Sequence, residues 1–189
     1  MRLGTRTRLV AVGVLATAIL AITTGTSGAA PRVSRQPSSV TDWVTFYGWV
    51  DNSPPGPAIA HPCIHQSAGG TGTYADPVTF AEPIDLNGPW CQIIYVPFLE
   101  KYFIHEDQCH PCAHVNTNHV DLWMGGDAAS THKPEKKALL RCERAWTQHA
   151  TVILDPSSTE PVDTAPLFTP SSTCHGGQGD TEAGTSSRR

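Results

Sequence analysis

The sequence predicts a small, mainly β domain, a barrel or sandwich, with one helix toward its C-terminal side and disulfide bonds within it. Three observations carry that prediction. The apolar runs are short and β-prone, and they are separated by turns rich in glycine and proline, 16 of each in 189 residues. Only one stretch, near residue 140, has helical spacing. Six cysteines lie downstream of what reads as an export signal, in a compartment where thiols oxidise.

The signal comes first in the chain. Arg2, Arg6 and Arg8 precede fourteen uncharged, mostly apolar residues, Leu9 to Ile22, and then the small and polar residues Thr23 to Ala30. That order suits a secretory signal peptide, 1–30, cut after Ala29 or Ala30. A run of fourteen falls short of the ~20 residues a membrane span needs. The expectation is a secreted, extracellular and monomeric protein, free of the membrane once the signal is removed. The chain has 13 Lys+Arg and 17 Asp+Glu, and the signal holds three Arg and no acid, so the remainder carries 10 − 17 = −7. With that charge and no Lys/Arg cluster, nucleic acid and anionic membranes are excluded as partners. About 160 residues remain, enough for one domain with a core.

Residues 31–41 are polar and read as a flexible leader. Trp43 to Val50 is a β-prone aromatic run, stopped by the turn Asp51-Asn52-Ser53-Pro54-Pro55-Gly56. Gln92 to Val96 and Tyr102 to His105 are strands, and the link from Pro97 to Lys101 suits a hairpin between them. His119 to Met124 alternates, with Asp121 and Trp123 on one face. Pro134 to His149 is the helix, with proline at its start and Leu139, Cys142 and Trp146 at i, i+3 and i+7. Ala150 to Leu154 is a further strand, closed by Asp155-Pro156. The domain is expected to span 42–169, and 170–189 reads as a disordered tail.

Several constellations invite chemistry. Asp107 and Asp121 sit in strand contexts, with Asp76 as a third carboxylate. An aspartate within a strand works against β propensity. Set beside apolar groups, its carboxyl would stay protonated toward neutral pH and could serve as an acid. Between 105 and 121, His105, Asp107, Cys109, His110, Cys112, His114, His119 and Asp121 are all metal-ligand types. Their spacing matches no zinc finger, and oxidised cysteines are lost as ligands, so no metal is expected. Gly69-Gly70-Thr71-Gly72-Thr73 lacks the lysine and helix of a phosphate loop. Cys109-His110-Pro111-Cys112 has the C-x-x-C form but no βαβ context for a thioredoxin-like site. Cys63, Cys91, Cys109, Cys112, Cys142 and Cys174 allow fifteen pairings. Cys109 and Cys112 are expected to be tied to other parts of the chain, with Cys142 as a partner for one of them.

Read together, GTGTYADPVTFA, IIYVPFLEKYFIHED and NHVDLWMGG resemble the three motifs of the three-aspartate ("3D") domain of bacterial cell-wall proteins. Asp76, Asp107 and Asp121 fall on its three aspartates, and the similarity covers roughly residues 70 to 126. The third motif also resembles the "HFDL" of expansins and family-45 endoglucanases. The stretch from TFYGWVDNSPPG through TGTYADP is similar to a group of uncharacterised secreted bacterial and fungal proteins. The resemblance implies a six-stranded double-psi β-barrel whose aspartates line one groove. It also implies glycan chemistry, because related barrels include lytic transglycosylases in which the aspartate matching Asp121 is the acid/base residue. Where the family has a Gly-rich segment after its second aspartate, this chain has Gln108-Cys109-His110-Pro111-Cys112-Ala113-His114.

The expectation is therefore a secreted protein acting on cell-wall polysaccharide such as peptidoglycan, without cofactor. Asp121 would be the proton donor and then the base, and Asp107 would raise its pKa by like-charge repulsion. Trp123 would stack on a sugar ring, with Tyr74 and Trp90 as further contacts. A non-catalytic glycan- or protein-binding barrel is the alternative, and a metal-binding secreted protein is a third reading.

Overall fold

A computed structural model describes residues 36–86, 88–113, 118–169 and 173–174. The expected signal peptide lies outside the described residues.

Six strands close into a barrel: β1 (Ser38–Tyr47), β2 (Val78–Pro83), β3 (Ile93–Val96), β4 (Lys101–Cys109), β5 (His119–Trp123) and β6 (Gln148–Leu154), in the ring order β1-β5-β2-β4-β3-β6. The β1–β5 and β2–β4 pairs are parallel and the other four are antiparallel. Each strand sends at least one side chain fully out of water: Val44, Phe80, Val96, Phe103, Leu122 and Val152 are all 0 % exposed. A barrel this narrow is filled by its own side chains, and these six are part of its apolar core. β3 and β4 form the expected hairpin. A 3-10 turn at Pro97–Leu99 joins them, and Glu100 takes a left-handed φ of 49° to reverse the chain.

The helix α1 (Glu135–Trp146) buries Ala138, Leu139, Cys142 and Glu143. It packs where β1 ends, and Gly48 explains how it comes so close. A Cβ at Gly48 would lie 2.9 Å from Leu139 Cδ2 and 2.9 Å from the Gly125 carbonyl, closer than such contacts allow. Trp146 meets Phe46 edge-to-face at 6.0 Å. The helix is shorter than its sequence signal, because Gln148 and His149 join β6 and pair with Val44 and Trp43.

Strand pairing also moves the domain edges. Residues Ser38 to Thr41, read as leader, pair with Leu154 to Thr151 of β6. Backbone pairing against a neighbouring strand needs no apolar side chains, so their polarity hid the strand. At the other end, β8 (Thr173–Cys174) pairs with β7 (Phe168–Thr169), inside what was read as tail.

The disulfides are Cys63–Cys91, Cys109–Cys112 and Cys142–Cys174, and they correct the expected pairing. Cys142 does bind a distant cysteine, but it is Cys174, while Cys109 and Cys112 bind each other. The turn after β4 brings those two neighbours together, with the Ala113 amide bonded to the His110 carbonyl at 3.2 Å. Among the described residues, no helix is long and apolar enough to cross a membrane.

Loop-closure entropy ranks the three bonds. Cys142–Cys174 spans 32 residues and Cys109–Cys112 only 3. Replacing the first pair by serine should cost about 3–4 kcal/mol and the second about 1–2 kcal/mol, measured by denaturant unfolding of the two double variants.

Candidate functional site

One lateral row of residues organises the site. In register across β1, β5, β2 and β4 stand Thr45, Asp121, Ala81 and Asp107. Asp121 and Asp107 are thus two strand spacings apart, about 10 Å between backbones, with the small Ala81 between them. Both open onto a cleft of about 540 Å³. Its other walls come from the loop after β1 (Asp51 to Ser53 and Ala58 to Ala60) and from the turn Cys109 to Cys112.

Asp121 is 8 % exposed. The parallel register sets it beside Thr45, whose hydroxyl donates to Asp121 Oδ1 at 2.6 Å and lies 2.7 Å from His119 Nε2. With Asp121 ionised, His119 Nε2–H donates to Thr45, which donates to Asp121. With Asp121 protonated, the same chain of bonds can run the other way. Burial pushes the Asp121 carboxyl up to about 7; the Thr45 bond opposes this and the charges of Asp51 and Asp107 add to it. Burial, rather than the like-charge repulsion expected from Asp107, is the leading cause of the rise, and Asp51 precedes Asp107 among the charges.

Asp107 is held more firmly. Tyr47 donates its hydroxyl to Oδ2 at 2.9 Å, while the amides of Ala60 and Gln108 donate to Oδ1 at 3.1 and 2.9 Å. Burial still raises its pKa, with these bonds working against the rise. Tyr47 is raised well above the ordinary phenol value by burial and by Asp107, so it remains a donor. Behind the cleft wall, Glu143 is pushed up to about 9 by burial and by Asp51, to which it is hydrogen-bonded. Asp51 in turn accepts from the Gly48 amide at 2.7 Å.

The remaining expected residues lie elsewhere. Asp76 binds His65 Nε2 at 2.9 Å, away from the cleft. His65 Nδ1 is 2.7 Å from Glu106, a fully buried carboxylate that also accepts from the amides of Cys63, Ile64 and His65. Trp123 is 6 % exposed and meets Tyr47 edge-to-face at 5.2 Å, so it supports the site from the core and offers no sugar platform. Trp90 stacks between His61 and His105, at 4.7 and 4.4 Å, and His105 stacks in turn on Phe80. Tyr74 is exposed and packs on Tyr102. Neither lines the cleft.

Of the ligand-type residues between 105 and 121, Asp107, Cys109, His110, Cys112, His119 and Asp121 line the cleft. His105 is spent in its ring stack, and His114 lies outside the described residues. Atoms of Cys109, Cys112 and Asp121 come within 4.8 Å of one another, as do those of His61, Cys63 and Cys91. In each set both sulfurs are in a disulfide, which leaves one free ligand apiece. Thr45, Tyr47 and Asp51 were missed as site residues, and His119 was read only as a metal-ligand type. For Thr45, Tyr47 and His119 the signal is the parallel β1–β5 register, which no local pattern encodes.

A family model described as the DDB_G0273701 N-terminal domain matches residues 39–175. An uncharacterised protein of Dictyostelium discoideum, DDB_G0273701/DDB_G0273221, is 39 % identical over 143 residues, covering 71 % of this chain and 59 % of its own length. The chain thus spans less than two thirds of that relative. No solved structure matches.

The raised carboxyls fix a pH dependence. Asp121 rises from 3.8 in the unfolded chain to about 7 in the fold, so its contribution to stability is full below 3.8 and is lost as pH climbs through about 7. Asp121→Asn keeps an acceptor for Thr45 and has no charge to bury. Its unfolding free energy should stay flatter than wild type between pH 4 and about 7, in melts taken at stepped pH.

Proposed function

This chain belongs to the DDB_G0273701 N-terminal domain family, and we propose that it is a secreted protein that cleaves a cell-wall polysaccharide in the cleft. Asp121 is the proton donor and afterwards the base. The observation that carries this reading is a buried carboxyl, its pKa pushed up to about 7, that opens with a second carboxylate onto one cleft. Protonating a glycosidic oxygen needs an acid that still holds its proton at working pH, and burial supplies that condition. Asp107, fixed by three donors, is placed to steady the positive charge that develops on the sugar ring. Thr45 aims the Asp121 carboxyl.

A double-psi barrel of the three-aspartate kind is part of the same proposal. It draws support from the closed six-strand ring and its two parallel pairs, β1–β5 and β2–β4. In this reading Asp76 has no catalytic part, because its carboxylate is committed to His65 outside the cleft. Trp123, Trp90 and Tyr74 were the expected sugar contacts under the catalytic and the binding-only readings alike, and none of them lines the cleft, so the paired carboxylates are what favour catalysis.

The test is to incubate the chain from Pro31 onward with peptidoglycan, chitin and cellulose and to look for released or 1,6-anhydro sugars by mass spectrometry. Asp121→Asn should lower release by a factor of roughly 10² or more while its melting temperature holds. Wild-type protein inert on all three polymers, or an Asp121→Asn variant with full activity, would reject the proposal.

A further inference from the structure

We infer that Cys109–Cys112 is an exchangeable disulfide: a small thiol entering the cleft attacks Cys109, and Asp121 gives its proton to the departing Cys112 sulfur. This goes beyond the glycan reading and needs only the geometry of the cleft.

Placement is the first argument. Both cysteines line the cleft with Asp121, and Cys112 Sγ lies 3.9 Å from Asp121 Oδ2. The other carboxyl oxygen, Oδ1, is engaged by Thr45, so Oδ2 is the oxygen presented to the sulfur. Among the described residues, no carboxyl stands beside the other two disulfides: Cys63 Sγ lies 3.7 Å from backbone carbonyl oxygens of His61 and His105, with the His61 imidazole within 4.8 Å of both Cys63 and Cys91 sulfurs, and Cys142 is buried in the apolar core.

The second argument is mechanical. Cys109 ends β4 and is held in register with Pro83 of β2, whereas Cys112 sits in the turn that follows. Opening the bond leaves the ladder intact and frees only the turn. The two long-range bonds tie distant segments, but this one joins residues three apart and contributes least to the fold. The folded protein therefore survives its reduction.

The third argument is chemical. A thiolate leaving into this wall would meet no permanent cation, since among the described residues no Lys or Arg lines the cleft. The titratable side chains that line the cleft with Asp121 are Tyr47, Asp51, Asp107, His110 and His119, and burial disfavours the charged form of Tyr47, Asp51, Asp107 and His119. Departure of Cys112 is then easiest as a neutral thiol, and the Asp121 proton makes it one. The step balances. The attacking thiolate forms a bond to Cys109 Sγ, the Cys109–Cys112 bond breaks, and Cys112 leaves with the proton of Asp121, which becomes a carboxylate. A second small thiolate then attacks the mixed disulfide at the bound thiol's sulfur. Cys109 leaves and takes a proton from water in the cleft. Two small thiols are oxidised to one disulfide, and the protein's disulfide is reduced to a dithiol.

Exposure alone predicts a different order. Cys91 is exposed, whereas Cys109 and Cys112 are 7 % and 8 % exposed. The experiment treats the oxidised protein with 2-mercaptoethanol under native conditions, quenches samples by alkylation and follows each cysteine by peptide mass spectrometry. Cys109 and Cys112 should be labelled before Cys63 and Cys91. Asp121→Asn should slow their opening by about tenfold or more and leave the Cys63–Cys91 rate unchanged. Opening of Cys63–Cys91 first in the wild type would overturn the inference with no variant needed, as would an unchanged Cys109–Cys112 rate in a folded Asp121→Asn. Neither readout uses a polysaccharide, so failure here is distinct from failure of the glycan reading.

Discussion

Glu106 is the constraint on which the rest of the site depends. Thirty residues, 48–77, separate β1 from β2 without forming helix or strand. A connection that long and irregular needs anchors of its own to hold one shape. Glu106, on β4 and fully buried, supplies them. One of its oxygens accepts from three successive amides, Cys63 to His65, at 2.9–3.0 Å, and the other from His65 Nδ1 and the Thr79 hydroxyl. Burial by itself would raise this carboxyl, but the bonds outweigh it and hold its pKa below the ordinary value. An anion that deep is tolerated because nearly every lone pair is used. The His61 amide on the Glu106 carbonyl and the Cys63–Cys91 disulfide tie the same segment again.

Successive residues of one strand then divide the labour. Glu106 binds the loop at 63–65, and Asp107, facing the other way, meets it at Ala60 and turns its second oxygen toward Tyr47. Holding the loop and facing the cleft are thus one structural act, since the wall made by residues 58–60 is in place only while the anchor is. His65 extends the clamp to Asp76, with burial opposed by both carboxylates and a pKa that ends up raised. The first aspartate of the sequence motif, Asp76, therefore has a physical role, in loop anchoring.

Much of the frame was legible in the chain. Aromatic and β-branched runs marked five of the six strands, and the Pro97–Lys101 link marked the hairpin, because these signals are local. Asp121 stood out since a strand aspartate needs an explanation, and burial beside Thr45 provides it. Register was not legible. That Thr45 faces Asp121 and that Ala81 separates it from Asp107 depends on pairing between residues 26 to 76 apart in sequence, parallel for β1–β5 and β2–β4 and antiparallel for β2–β5. Trp123 misled for a related reason: alternation put it on the face of Asp121, but in a barrel that face curves, and Tyr47 covers the ring. The disulfides were beyond reach because fifteen pairings are equal on paper, and only the turn at 110–113 and the return of β8 to α1 choose among them.

The bond between Cys142 and Cys174 has a topological consequence. It closes a covalent ring out of residues 142–174, and β6, the strand that completes the barrel between β1 and β3, lies within that ring. Tension applied to the chain beyond residue 174 passes through the sulfurs into α1 and bypasses β6. The closing strand cannot be drawn out from the C-terminal end, nor traded with a second copy by an end-first exchange. A protease that nicked the segment 155–167 would leave both pieces joined. In the open extracellular setting proposed for this protein, the barrel is thus sealed by covalent topology as well as by hydrogen bonds.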